Sequence, residues 1–171
     1  MNIKRMLFLL PFLFATYSNA IAGFDRWTAE VEENPFSKGL SVTVSNMSTI
    51  RSGILIMCDS SKPGVLVRAV PGFAYTDVLS LVSPNMQFAI DGDLLLSQTG
   101  ETGSVGDNLA VAQVQLTTAN SRRFVDAFMK AGRQIAVQDG ISDRPHLMNA
   151  RGSTKTGKIL DACLRMQAPG S

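Results

Sequence analysis

The sequence is short of the residues that most enzyme sites use. Its 171 residues include one histidine, two cysteines and one tryptophan, and aromatic residues make up only 7% of the chain. A Ser-His-Asp triad or a histidine-rich zinc site would have to use His146. No nucleophile with a partnered base is recognisable, so we expect a non-enzymatic protein with no cofactor and no metal. A hydrolase is an alternative, and turnover that His146→Ala abolishes would support it.

The chain also lacks an apolar run long enough to span a membrane, which takes about 20 residues. The apolar run at residues 6–15 is shorter and follows two basic residues, and the small residues Ala-Ile-Ala end at Ala22. This pattern predicts a signal peptide at residues 1–22, with cleavage after Ala20 as the alternative site and an uncleaved anchor as the alternative interpretation. We therefore expect a periplasmic or secreted protein with no membrane span after cleavage.

Neither sign of charge is in excess after that cleavage. Removing Lys4 and Arg5 from the 16 Lys and Arg residues leaves 14, which equals the 14 Asp and Glu residues. A surface for nucleic acid or for an anionic membrane needs a clustered excess of Lys and Arg. The composition therefore argues against both classes of partner.

The two cysteines are Cys58 and Cys163, and an exported chain with two cysteines favours one disulfide. Cys58 ends the apolar run Gly-Ile-Leu-Ile-Met-Cys-Asp at residues 53–59, which predicts a buried central strand. Cys163 lies in a helical pattern near the C-terminus. We expect the bond to join that strand to the last helix; two free buried thiols are the alternative.

Apolar and polar residues alternate in several short stretches, which predicts β-strands. An Asp-Gly pair at residues 91–92 predicts a tight hairpin turn, because both positions need positive φ. Polar stretches at residues 34–39, 46–52 and 98–108 predict a turn and two loops, the last exposed. The predicted strands are residues 27–32, 40–45, 53–59, 65–70, 86–90, 93–97, 109–117, 134–137 and 146–150.

Two stretches have helical spacing instead. Residues 119–131 repeat apolar residues every three or four positions, and a second helix opens at Ser153 or Thr154. The predicted fold class is α+β, with a mainly antiparallel β-sheet or sandwich, two helices packed on it and one disulfide. Residues 23–171 would form this single domain, ending in a short tail at residues 168–171.

Residues 71–84 are apolar without one clean period, which predicts a strand or an irregular edge. Apolar and aromatic side chains left partly exposed mark protein-binding patches, and tyrosine is favoured at interface hot spots. We therefore interpret Phe73, Tyr75, Val78 and Leu81 as possible partner-binding residues. A buried edge strand with an irregular turn is the alternative.

Three tempting features have plainer interpretations. Residues 152–158 match a phosphate-binding loop until its last position, where Ile159 replaces the Ser or Thr that coordinates magnesium. A glycine turn followed by a helix start explains this stretch without a nucleotide. We interpret His146 as a solvated or core-edge residue, and Asp91 and Asp93 as acids that bracket the hairpin turn.

Several of these features, taken in order, resemble the VasI-type periplasmic proteins associated with type VI secretion. The similar segments are the strand that Trp27 opens, the apolar strand ending in Cys58, the Phe-x-x-Asp strand ending at Asp91, the helix at residues 124–132, and the closing glycine, helix and cysteine. The resemblance covers about residues 27–165. It implies a non-enzymatic accessory protein that binds another protein of the bacterial envelope.

An inhibitor of a hydrolase such as lysozyme is the other hypothesis, because small disulfide-linked β-rich domains suit that role. An inhibitor would present a protruding loop, and residues 98–108 or 138–145 could supply it.

Overall fold

The computed structural model describes residues 24–33 and 39–167. The predicted signal peptide, both cleavage sites, most of the predicted turn at residues 34–39 and the C-terminal tail lie outside these residues. The described chain contains ten strands, two α-helices and one 3-10 helix. They are β1 (Thr28–Glu33), β2 (Leu40–Thr49), β3 (Ser52–Asp59), β4 (Val65–Val70), the 3-10 helix (Asp77–Leu81), β5 (Asn85–Ile90), β6 (Asp93–Thr99), β7 (Glu101–Val105), β8 (Leu109–Gln115), α1 (Thr118–Lys130), β9 (Gln134–Gln138), β10 (His146–Asn149) and α2 (Ser153–Met166).

The strands form two sheets in which all neighbouring strands are antiparallel. One sheet has six strands in the order β1-β2-β3-β4-β8-β7, and the other has four in the order β10-β9-β5-β6. The two helices pack against each other, and α2 also packs on β2 and β3. The predicted α+β class with antiparallel sheets and two helices is confirmed.

The core lies between the two sheets and the helices. Phe124 of α1 packs edge-on against Phe88 of the four-stranded sheet, with ring centroids 5.3 Å apart. Phe128, one turn later, packs in the same manner against Trp27 at 4.8 Å. Edge-to-face pairs of this kind contribute about 0.5–1.5 kcal/mol beyond the area they bury. The aromatic stripe of α1 thus joins both layers of the fold.

The disulfide between Cys58 and Cys163 is formed, as predicted, with an S–S distance of 2.07 Å. Both cysteines are buried, and the bond ties β3 to α2 across 105 sequence positions. By the chain-entropy estimate, closing a loop of that length contributes about 5 kcal/mol. The disulfide is therefore a large share of the stability expected for one domain.

The hairpin turn between β5 and β6 is also as predicted. Asp91 and Gly92 both have positive φ, at 55° and 102°. The Asp91 carboxylate accepts hydrogen bonds from the backbone N–H groups of Gly132, Arg133 and Gln134, at 2.7–2.9 Å. These bonds lower the pKa of Asp91, and the bond from Gly132 has the largest effect. This acid therefore holds the hairpin against the connection from α1 to β9.

The predicted exposed loop at residues 98–108 is wrong, because most of it is strand. β6 continues to Thr99, and β7 begins at Glu101 after the single residue Gly100. The chain bends there and passes from the four-stranded sheet to the six-stranded one. A side chain at Gly100 would overlap the carbonyl oxygen of Gln113. Apolar residues are few in β7 because it is an edge strand that pairs only with β8.

The predicted loop at residues 46–52 is wrong as well. β2 runs on to Thr49 with a register shift after Met47, and β3 already begins at Ser52. Asn46 continues the buried side of β2 after Val42 and Val44 and is fully buried. Because Asn46 is polar, the alternation of apolar and polar residues in β2 could not be recognised beyond Ser45. Its amide atoms have no hydrogen-bond partner among the described residues.

Candidate functional site

Residues 71–84 form no strand, and Pro84 alone among them is buried, so the alternative of a buried edge strand is wrong. The chain instead makes the 3-10 helix, in which no residue is buried. Val78 is 71% exposed and Leu81 is 86% exposed, and Val82 just after the helix is also exposed. We call these three side chains the 3-10 patch. Contiguous exposed apolar side chains are a feature of protein-binding surfaces.

The segment is held firmly although its side chains are exposed. Tyr75 N–H donates to Asn108 C=O at 2.8 Å, and Ala110 N–H donates to Phe73 C=O at 2.9 Å. The hydroxyl of Thr102 on β7 donates to the carbonyl of Leu79 at 2.5 Å. Hydrogen bonds from two strands therefore fix the backbone while the apolar side chains remain in solvent.

The four predicted partner-binding residues do not form one cluster. Val78 and Leu81 lie together on the 3-10 helix. Phe73, 41% exposed, lies instead in a cleft at the other end of the segment. Tyr75 is half-buried at the point where the segment bonds to Asn108. The segment that the sequence singled out thus contributes to two separate surfaces, the 3-10 patch and the cleft.

The cleft has a volume of about 640 Å³ and lies between parts of both sheets. Residues near the β2–β3 turn and after β4 form one wall, and the connection from β9 through β10 forms the other. Phe73 and Leu147 are exposed apolar residues that both line the cleft. The lining residues are Ser48, Ser52, Pro71, Phe73 and residues 141–148.

The wall made by residues 139–146 is organised by one buried carboxylate. Asp139 accepts from Ile141 N–H at 3.0 Å and from Ser142 N–H at 2.8 Å, and the Ser142 hydroxyl also donates to it. Nε2 of His146 lies 2.9 Å from the same carboxylate. Four hydrogen bonds to one group explain how a loop with an exposed tip at residues 143–145 keeps a defined shape.

Burial alone would raise the pKa of Asp139, whose side chain is fully buried. The hydrogen bonds from His146, Ser142 and Ile141 outweigh that effect and hold its pKa below the ordinary value. Asp139 is thus an anion in the folded protein at neutral pH. Because a carboxylate only accepts hydrogen bonds, Nε2 of His146 must carry the proton.

His146 is a core-edge residue, as one of the two sequence interpretations had it. Its side chain is only 7% exposed, and it lines the cleft. Within residues 24–33 and 39–167, Nδ1 makes no hydrogen bond. It is also not one of the buried polar atoms that lack a partner there, so it remains accessible. In the neutral ring, with the proton on Nε2, Nδ1 therefore offers a lone pair toward the cleft.

The groups around Asp139 are not in the order that nucleophilic catalysis needs. In a triad the histidine lies between the hydroxyl and the carboxylate. Here Ser142 and His146 both bond to the carboxylate, so the hydroxyl is not bonded to the imidazole. The described residues contain no cluster of three or more His, Cys, Asp or Glu side chains that could hold a metal ion.

The glycine-rich stretch at residues 152–158 is a turn and a helix start. Gly152 has a φ of +92°, and a side chain there would overlap the carbonyl oxygen of Trp27. Trp27 N–H also donates to the Arg151 carbonyl at 2.8 Å. The backbone of Trp27 therefore lies directly against Gly152 at the start of α2.

Comparison with known proteins identifies no similar protein. The chain matches no family model, no curated protein and no solved structure. Within the described residues, no helix is long and apolar enough to cross a membrane. Every argument about function therefore depends on the residues of this chain.

Proposed function

We propose that the protein is an exported, non-enzymatic accessory protein that binds another protein of the bacterial envelope through the 3-10 patch. One observation carries the proposal. Val78 and Leu81 are 71% and 86% exposed on a segment whose backbone is fixed by hydrogen bonds. A preformed apolar surface binds without the entropy loss of ordering a flexible loop.

Two further features support the envelope setting. The disulfide between Cys58 and Cys163 persists in an oxidising compartment such as the periplasm. The signal-like N-terminus and the resemblance to VasI-type proteins point the same way, and type VI secretion is the assembly that this resemblance suggests. Nothing in this setting requires a cofactor, a metal or nucleic acid.

The test is a capture experiment with matched variants. Val78→Ser with Leu81→Ser removes the two most exposed apolar side chains of the patch without touching a buried residue. Leu94→Ser is the control, because Leu94 is 65% exposed but lies on β6. We expect both variants to melt like the parent and only the patch variant to lose the envelope protein that the parent captures from a periplasmic extract. Capture that is equal in all three proteins would refute the patch.

Inhibition of a secreted hydrolase such as lysozyme is the second candidate, and the Asp139 loop is the observation that favours it. Residues 143–145 form an exposed tip on a loop that four hydrogen bonds to one carboxylate hold in shape. Rigid protruding loops suit insertion into an active site. An assay of lysozyme activity with purified protein separates the candidates, because an envelope adaptor leaves the activity unchanged.

A further inference from the structure

The strand β10 leaves part of the four-stranded sheet unpaired. It is the outer strand and pairs with β9 on one side only. Ala150 N–H donates to Arg133 C=O at 3.0 Å, in register with the β9–β10 ladder. Bonded and non-bonded pairs alternate along an antiparallel ladder. Met148 and His146 therefore bond to β9, whereas Leu147 directs its N–H and C=O away from the sheet.

This unpaired edge is short and closed at both ends. At one end, Nε1 of Trp27 donates to the carbonyl of Asn149 at 2.9 Å. At the other, Pro145 has no N–H to offer. Between them, the N–H and C=O of Leu147 have no partner among the residues the structure covers. One added segment of a few residues could satisfy them, but a long strand could not continue past either end.

The cleft lies along the same edge. Successive side chains of a strand point to opposite faces of its sheet. His146 and Leu147 are successive, and both line the cleft, so the cleft follows the edge of β10 and not one face. Pro71 and Phe73 line the same cleft and supply an apolar and aromatic surface.

The polar groups of the cleft indicate what would fit. Nδ1 of His146 can accept a hydrogen bond, and Ser48 and Ser52 also line the cleft, with the Ser48 hydroxyl donating to the Ser52 carbonyl. The rim carries one acid, Asp143, and one base, Arg144; both are exposed, and neither has an ion-pair partner within the described ranges. A rim without net charge matches an uncharged ligand.

We propose that the cleft binds an uncharged extended peptide that adds a short strand to β10. The peptide backbone bonds to the N–H and C=O of Leu147, and an apolar side chain of the peptide packs between Phe73 and Leu147. A donor on the peptide bonds to Nδ1 of His146. The inference is independent of the 3-10 patch, since no patch residue lines the cleft.

The chain contains a built-in probe for this site, because His146 is its only histidine. The experiment uses protein purified from a bacterial periplasm and three capped peptides, Ser-Thr-X-Val-Thr-Ser, in which X is Leu, Phe or Ile. The same peptides with N-methyl groups on the four central residues keep the side chains but cannot form a strand. We expect at least one unmethylated peptide to shift the single imidazole NMR signal saturably at up to millimolar concentration. Its methylated form should bind about tenfold more weakly or not at all, since each lost hydrogen bond is worth about 1 kcal/mol.

Two variants test the edge itself. Leu147→Pro removes an N–H that the sheet does not use, and Leu147→Ala removes only the side chain. We expect Leu147→Pro to weaken binding about fivefold beyond Leu147→Ala, in line with one lost hydrogen bond. If Leu147→Pro does not fold, the methylated peptides still decide the question. Val78→Ser with Leu81→Ser should leave peptide binding intact, which separates this site from the proposed function.

Three outcomes would overturn the inference. None of the three peptides shifts the His146 signal, the methylated peptides bind as well as the others, or folded Leu147→Pro binds like Leu147→Ala. The second outcome would mean that the cleft takes apolar groups without adding a strand.

Discussion

Asp139 offers the sharpest test of how the cleft is built, because one substitution removes the support of a whole wall. Asp139→Ala deletes four hydrogen bonds and leaves Nε2 of His146 enclosed without a partner. The two backbone N–H groups lie in a partly buried loop, where water can replace the carboxylate at small cost. A hydrogen bond to a charged group contributes about 1.5–3 kcal/mol. We therefore expect Asp139→Ala to lower the free energy of unfolding by about that amount.

Urea denaturation with the disulfide intact measures this loss as a lower midpoint at an unchanged slope. Asp143→Ala is the matched control, since Asp143 lies on the same loop, is exposed and makes no ion pair among the described residues. It should stay within about 0.5 kcal/mol of the parent. Asp139→Asn should fall between them, because its amide oxygen still accepts from the backbone.

The same carboxylate sets a pH dependence. Because its folded pKa lies below the ordinary value, Asp139 stabilises the fold fully above the unfolded pKa, which is about 3.9. That contribution disappears as pH falls through the folded pKa. The parent should therefore lose part of its stability below about pH 4, and Asp139→Ala should lack that part.

The reasoning fails if Asp139→Ala unfolds within about 1 kcal/mol of the parent, or if Asp143→Ala loses as much. Either result would mean that the loop keeps its shape without the buried anion.

Other expectations follow from single contacts. Cys58→Ser and Cys163→Ser should destabilise about equally, by a few kcal/mol each, and the denatured, unreduced parent should show no reactive thiol. Gly100→Ala should cost about 1–3 kcal/mol in thermal unfolding, because the added methyl group meets a backbone carbonyl. Gly157→Ala should destabilise the fold as well, because the added methyl group meets Cγ of Met129 and the ring of Phe128 where α1 packs against α2. Phe73→Ala should leave the melting temperature nearly unchanged, far from the roughly 3–5 kcal/mol of a buried aromatic.

Much of the fold could be predicted from short stretches of sequence, because several of its elements are determined by residues that are neighbours along the chain. The alternation before Cys58, the Asp91–Gly92 turn and the aromatic stripe of α1 each depend on neighbours in sequence. β7 could not be found in this way. Its strand character comes from pairing with β8, and the bend at Gly100 depends on the closeness of a carbonyl 13 positions later. Nothing near Gly100 in sequence carries that information.

The candidate site was harder to predict for the same reason. The apolar segment that contains Phe73 was visible, but the opposite wall comes from residues 141–148. Asp139 was missed because its importance depends on being buried. The available signal was local spacing. Residues two and three positions after Asp139 can donate their N–H groups to it, and the only histidine of the chain follows at seven positions. No sequence signal indicated Leu147, because an unpaired strand edge depends on how the whole sheet is assembled.

The disulfide makes the domain a covalent ring closed between β3 and α2. The ring includes every element from β4 through β10, because the two sulfur atoms are 105 sequence positions apart. A protease that cuts once at the exposed tip of residues 143–145 would therefore release nothing. The nicked molecule would gain only the one water of hydrolysis and would travel as one band until the disulfide was reduced. The disulfide would therefore keep the two fragments together after a single cut at this loop.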